Sequence, residues 1–343
     1  MASGIDPDNS AFLARAPQIA SMRDARARLQ PHILHTPVHR WAGPEIERRT
    51  ARGTEIVLKL ELFQRTGTFK IRGALLNVMN LSDSARARGV TGVSAGNHAI
   101  AVACAAQRLG SSAKVVMIET ANPARVAAAR AFGAEVVTAP DGPSAFAMVE
   151  RIAAEEGRSF IHPFDGENVV LGTGTLGLEI MDAVPDLDAV IVAIGGGGLM
   201  SGVAAAVKQV NLSCAVYGVE PVGADLMTRS LAAGAPQKLE AVRTIADSLA
   251  PPMTTPGAFA LCRRFVDDVV TVTDDEITAA MALLFREMKL AVEPAGAAAA
   301  AALLGPLKNR LAGRRVAVLV CGSNIDSATF GSLIARGEAI LDG

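Results

Sequence analysis

Asp188-Ala-Val-Ile-Val-Ala-Ile-Gly195-Gly196-Gly197-Gly198-Leu199-Met-Ser-Gly-Val-Ala-Ala-Ala-Val207 is the stretch whose reading decides the fold. The six residues after Asp188 form a continuous apolar run, as expected of a strand covered on both faces. From Ala189 to Val207 there is no charge, and the span is long enough to cross a bilayer. Four successive glycines would weaken a single helix severely, so the stretch reads as strand, turn and helix inside a soluble core. Glycines let backbone N–H groups approach an anion without interference from a Cβ, and a helix start adds partial positive charge. The amides of Gly195, Gly196, Gly197, Gly198 and Leu199 are therefore a candidate phosphate cup; the plain alternative is a tight strand-to-helix turn. No Gly-Lys-Ser/Thr follows, so it is not a P-loop. Met200 or Ser201 falls where a dinucleotide fingerprint needs its last glycine. Gly172-Thr-Gly-Thr-Leu-Gly177 does match that fingerprint literally, but no strand runs into it, and the position wanted for an acidic residue falls in the glycine cup.

Outward from this stretch, short runs rich in Val and Ile alternate with Ala-rich helical segments. Strands are expected over 55–60, 113–118, 134–138, 188–194, 215–219 and 316–320. Helices are expected over 96–109, 123–132, 144–156, 199–210 and 274–289, and 295–304 reads as a tightly packed helix. Pro123 suits a first helical turn, Gly133 a helix end, and Asp274 a cap. The rhythm predicts an α/β fold of two doubly wound units with mainly parallel sheets. The first eighty or so residues read as an N-terminal helix and an entry strand, not as a domain. No Pro/Ser-rich linker divides the chain.

The 343 residues are half hydrophobic and 20% charged, with net charge −1. That supports a large core, and without a basic run it argues against nucleic acid or a membrane surface as partner. Cys104, Cys214, Cys262 and Cys321 stand far apart with no CxxC pair, so neither zinc nor a disulfide framework is signalled. Met1–Arg23 lacks a basic segment followed by an apolar run, so a secretory leader is not expected, and a cytoplasmic protein with reduced thiols is.

Three further segments could carry chemistry. In Gln64-Arg-Thr-Gly-Thr-Phe69-Lys70-Ile-Arg72-Gly-Ala74, a lysine stands between Phe69 and Ile71 before a helical run. Apolar surroundings and the Arg72 cation would both lower its pKa and leave a nucleophilic amine; the alternative is an exposed lysine at a helix start. Ser94-Ala95-Gly96-Asn97-His98 opens a helix and gathers a hydroxyl, an amide and helix N-terminal N–H groups. It suits a carboxylate or a phenolic oxygen, or is an ordinary cap. Val320-Cys321-Gly-Ser-Asn-Ile-Asp326 follows the last strand, at a carboxyl end where ligands bind in parallel sheets. Cys321 could equally be a structural thiol.

Together the four segments resemble the fold-type II pyridoxal-phosphate enzymes, whose fold is of the tryptophan synthase β type, and within them the serine/threonine ammonia-lyases (dehydratases) and serine racemases. The likeness runs from His35-Thr36-Pro37 to Asp326. It implies that residues 1–80 and 167–343 form a larger unit that binds pyridoxal 5'-phosphate and that 81–166 form a smaller unit on the substrate side. Lys70 would carry the cofactor as a Schiff base and later move the substrate's Cα proton. Phe69 would lie against the ring, Asn97 would bond its phenolic oxygen, and Cys321 would face its nitrogen. The Gly195–Leu199 amides would hold the phosphate, while Ser94, Ala95, Gly96, Asn97 and His98 would hold the substrate carboxylate.

The resemblance implies β-elimination on a β-hydroxy amino acid such as L-threonine or L-serine, giving a 2-oxo acid and ammonia, by a homodimer or homotetramer. A bulkier substrate such as phenylserine or hydroxyaspartate, or a racemase, is the alternative. Departures from the family pattern fall at Thr68, Arg125, Thr173 and Ser248. Racemase-like relatives hold a divalent cation on a glutamate, a carbonyl and an aspartate. Glu220 and Ala224 match the first two positions, but Leu226 takes the aspartate's place, so no metal is expected there.

Overall fold

The computed structural model describes residues 17–343. The reading of residues 1–23 as lacking a leader falls largely outside them. Ten strands form two sheets. β1 (Val38–Trp41), β2 (Glu55–Leu60), β7 (Ala189–Ala193), β8 (Ala215–Pro221), β9 (Asp268–Val272) and β10 (Arg315–Val320) make a six-stranded sheet in the order β1-β2-β10-β7-β8-β9. Only β1 runs antiparallel to its neighbour. β3 (Val90–Val93), β4 (Ala113–Ile118), β5 (Glu135–Ala139) and β6 (Ser159–Phe160) make an all-parallel sheet in the order β5-β4-β3-β6. The α/β fold with mainly parallel sheets follows from the pattern that predicted it. β7 is buried at every position, as its unbroken apolar run requires.

All six expected strands form, with ends shifted by a residue or two. β1, β3, β6 and β9 were not anticipated. β1 and β9 are edge strands with polar or half-exposed residues, β6 has two residues, and β3 is Val-Thr-Gly-Val, too short for a periodic signal. The expected cap at Asp274 is corrected: Thr273 caps that helix in a reciprocal capping box with Glu276, and Asp274 is already helical.

Gly172-Thr-Gly-Thr-Leu-Gly177 lies inside the helix Glu167–Ala183, which the sequence reading did not foresee. Its glycines serve close packing. A Cβ on Gly172 would stand 2.7 Å from the Gly73 nitrogen, one on Gly174 2.8 Å from the Met22 sulfur, and one on Gly177 2.8 Å from the Ala206 Cβ. The literal fingerprint is a helix–helix contact face.

The helix Lys70–Met79 packs against the helices Asn97–Arg108 and Glu167–Ala183. It shares an apolar core with the four-stranded sheet and with Ala25 and Leu29 of the helix Ile19–Leu29. The chain leaves β3 into Ser94, β7 into Gly195 and β10 into Cys321, each at a strand's carboxyl end, while the turn after β2 leads to Lys70. This places the four candidate segments between the sheets. No helix among the described residues is long and apolar enough to cross a membrane.

Candidate active site

Lys70 is half-buried at the start of its helix, and its Nζ donates to the Pro163 carbonyl at 2.6 Å. Burial lowers its pKa to about 8, against the opposing pull of Cys321 and Glu293. The expected help from Arg72 is corrected. The Arg72 guanidinium is fully buried and turned into a charge-balanced layer, held by Glu61 at 2.7 and 2.9 Å and by Glu179 at 2.7 and 2.9 Å. Lys59 completes the layer on Glu179 (2.6 Å) and the Thr36 carbonyl (2.7 Å). Desolvation, not a neighbouring cation, prepares the Lys70 amine.

Lys70 shares a small cavity with Phe69, Gly73, His98, His162, Thr173 and Leu199 among its walls. Its Nζ lies 5.2 Å from the Phe69 ring centre. His162 accepts N–H bonds at Nδ1 from Asp165 (2.9 Å) and Phe164 (3.3 Å). Burial, with the Lys70 charge, pushes its pKa down to about 4 despite Asp165. Its ring meets Phe164 edge-on at 4.7 Å, Phe160 at 5.7 Å and Phe146 at 6.5 Å between centres. Phe160, His162 and Phe164 alternate along the chain, the spacing that shares one face of an extended segment, but nothing local signalled that Phe146 joins them.

In the Ser94–His98 loop, the Ser94 hydroxyl accepts from the Gly96 and His98 amides at 2.9 and 3.3 Å. Ala95 is half-buried. His98 Nε2 bonds the Ile161 carbonyl at 2.8 Å, and burial with the Lys70 charge lowers its pKa to about 3, so the ring is neutral. Asn97 is committed at both ends. Its Nδ2 donates to Glu293 at 2.8 Å and Ser248 at 3.1 Å, and its Oδ1 accepts from Asn324 at 2.8 Å. A further acceptor would have to displace one of these. Glu293 was missed in the sequence; burial raises its pKa to about 7, with Arg125 and Asn97 opposing. A lone glutamate before Pro294 carries no local signal.

Gly195–Gly198 join β7 to the helix Gly198–Val210, whose first-turn amides have no intrahelical acceptor. Gly197 has φ +97°, and a Cβ on Gly196 would overlap the Phe164 ring. Cys321 donates to the Ala295 carbonyl at 3.5 Å, and burial raises its pKa above the usual thiol value. Its carbonyl accepts the Phe69 amide at 3.3 Å, which ties the lysine turn to β10. Of the four departures, Thr173 closes onto the Gly198 carbonyl (2.9 Å), Ser248 onto Asn97, and Arg125 onto Glu293 and Asp247. Thr68 keeps a buried hydroxyl with no partner.

Residues 29–322 match the family model described as pyridoxal-phosphate dependent enzyme. The chain belongs to that family. It is 54% identical over 321 residues to the phenylserine dehydratase of Ralstonia pickettii, covering 94% of this chain and 97% of the relative. It is 40% identical over 288 residues to the L-threonine ammonia-lyase of Thermotoga maritima, covering 83% and 71%. Among solved structures, maize serine racemase superposes with a TM-score of 0.87 at 35% identity, covering 94% of this chain and 99% of that one.

The residues present fit the family's cofactor. A primary amine stripped of water, a glycine turn opening a helix and an orphaned Thr68 hydroxyl beside Lys70 are the features a phosphorylated aldehyde would engage. Glu220 is engaged by the first turn of the helix Leu226–Ala233. It accepts from the Met227 amide (2.6 Å), the Thr228 amide (2.8 Å) and the Thr228 hydroxyl (2.7 Å).

Proposed function

We propose that this chain is a pyridoxal-phosphate-dependent dehydratase, an ammonia-lyase, that eliminates water from β-hydroxy amino acids with an aryl side chain, phenylserine being the simplest. The observation that carries the aryl preference is the aromatic cluster of Phe146, Phe160, His162 and Phe164, reached from the Lys70 cavity through His162. A flat apolar ring gains both burial and edge-to-face contact against such a wall. The 54% identical phenylserine dehydratase supports the same reading. In this reading residues 81–166 are the substrate-side unit, 1–80 and 167–343 hold the cofactor, and the enzyme is a cytoplasmic homodimer or homotetramer.

Bound pyridoxal phosphate supplies the electron sink for charge at the substrate's Cα. The protein does the rest. The Gly195–Leu199 amides would hold the phosphate, Phe69 would lie against the ring, and Cys321 would face its nitrogen. The Ser94–His98 loop holds the substrate carboxylate, and Lys70 takes the Cα proton. The β-hydroxyl leaves as water with the proton that Lys70 took from Cα, and the released enamine is hydrolysed by water to a 2-oxo acid and ammonia. The test is a 2-oxo acid assay of the holoenzyme with phenylserine, threonine, serine and hydroxyaspartate. A kcat/KM for phenylserine above that for threonine is expected. Equal or greater efficiency with threonine would remove the aryl preference, and no 2-oxo acid from any of them would remove the reaction.

A further inference from the structure

Arg125 sits at the third position of the helix Pro123–Ala131, which follows β4 of the four-stranded sheet. It is only 6% exposed. Its guanidinium crosses to three acceptors on segments that belong with the other sheet. Nε donates to the Asn324 carbonyl at 2.8 Å, one terminal nitrogen to Asp247 at 2.5 Å, and the other to Glu293 at 3.2 Å. One turn earlier, Asn122 donates to Asp326 at 2.6 Å and strengthens the same crossing.

These bonds close a ring. Arg125 binds the Asn324 carbonyl, the Asn324 amide binds Asn97, the other end of Asn97 binds Glu293, and Glu293 returns to Arg125. Gly96 and Asn97 lie within it. The φ of Gly96 is 170°, an extended value open to any residue, so backbone conformation does not demand glycine here. What demands it is Arg125: a Cβ on Gly96 would overlap the Arg125 Cδ. The side chain is laid across the back of the Ser94–His98 loop.

We infer that Arg125 is a positioning residue that sets the Ser94–His98 loop for the substrate carboxylate by clamping it, through Glu293 and Asp247, to the opposite side of the cleft. This rests on the proposed function, in which that loop takes the carboxylate. Arg125 spends three of its N–H groups on these acceptors, lies across the back of the loop and acts through it. A lysine keeps the charge but offers one rotating ammonium, which cannot satisfy three acceptors spread around a planar fork.

The experiment uses holoenzyme with Arg125→Lys and with Asp247→Asn, which removes the charge of one anchor. L-Phenylalanine and 2-phenylethylamine are titrated by the change in cofactor absorbance. The two ligands share the amine and the ring, and only the first has a carboxylate. Arg125→Lys should weaken L-phenylalanine about tenfold or more, the size of one charge-assisted hydrogen bond, and leave 2-phenylethylamine within about twofold. Asp247→Asn should show the same selectivity with a smaller loss. If Arg125→Lys does not accumulate as folded holoenzyme, Asp247→Asn carries the test by the same comparison. Equal losses for both ligands mean a general structural role, and no loss for either means an idle contact; each overturns the inference. Turnover is not needed for the readout, so a failure of the proposed elimination would appear in the 2-oxo acid assay and not here.

Discussion

Ala95 presents a methyl group at the second position of the Ser94–His98 loop. Inverting a substrate requires a proton on the Cα face opposite Lys70, and a methyl group can neither give nor take one. The neighbouring His98 is neutral and turned to the Ile161 carbonyl. The D-amino acid should therefore stay below the detection limit when L-serine or L-threonine is incubated with the holoenzyme, as followed by chiral chromatography. A build-up comparable to 2-oxo acid release would show a second proton route. At this scale the sequence was legible where chemistry needs a residue type: Lys70, the glycine run and the Ser94–His98 loop all stand at the mouths of strands. It misled where direction matters. Arg72 is two residues from Lys70, yet on a helix that spacing points the two side chains apart, and Arg72 serves the core instead.

The elements are held by the charged layer beneath the lysine turn. Lys59 comes from β2, Glu61 from the turn after it, Arg72 from the Lys70 helix and Glu179 from the helix Glu167–Ala183. Two cations and two carboxylates balance, all nine-tenths buried or more. Burial alone would raise the Glu179 pKa, yet Arg72 and Lys59 hold it below the usual carboxylate value. Such a layer costs more to break than it gains by forming. Glu179→Ala should destabilise the protein by about 3–5 kcal/mol in chemical unfolding, because it strands buried positive charge. A loss under about 1 kcal/mol would mean that water or relaxation satisfies the cations. Periodicity could not disclose this layer, because Glu61 and Glu179 are separated along the chain, and only the packing of the Lys70 helix against the Glu167–Ala183 helix, with Lys59 of β2 reaching Glu179, joins them. The glycines of the Glu167–Ala183 helix were visible as a motif, but their use as a contact face was not.

Across the whole molecule, the parallel-sheet architecture was legible because buried strands announce themselves as unbroken apolar runs. The edge strands β1 and β9 do not, being half-polar, and the two-residue β6 has no pattern to read. The convergence of the four segments between the sheets is a property of topology: each lies after a strand, at its carboxyl end or just past the turn that follows it. We propose that this convergence makes Lys70 the cofactor's anchor. Two lysines lie near the site, but Lys59 is fully buried and ion-paired to Glu179, while Lys70 is half-open to the cavity with its pKa lowered to about 8. Borohydride reduction of the holoenzyme followed by peptide mass mapping tests this. The cofactor mass is expected on the peptide bearing Lys70, and none in Lys70→Ala; a label on Lys59, or on any other lysine, would overturn the assignment.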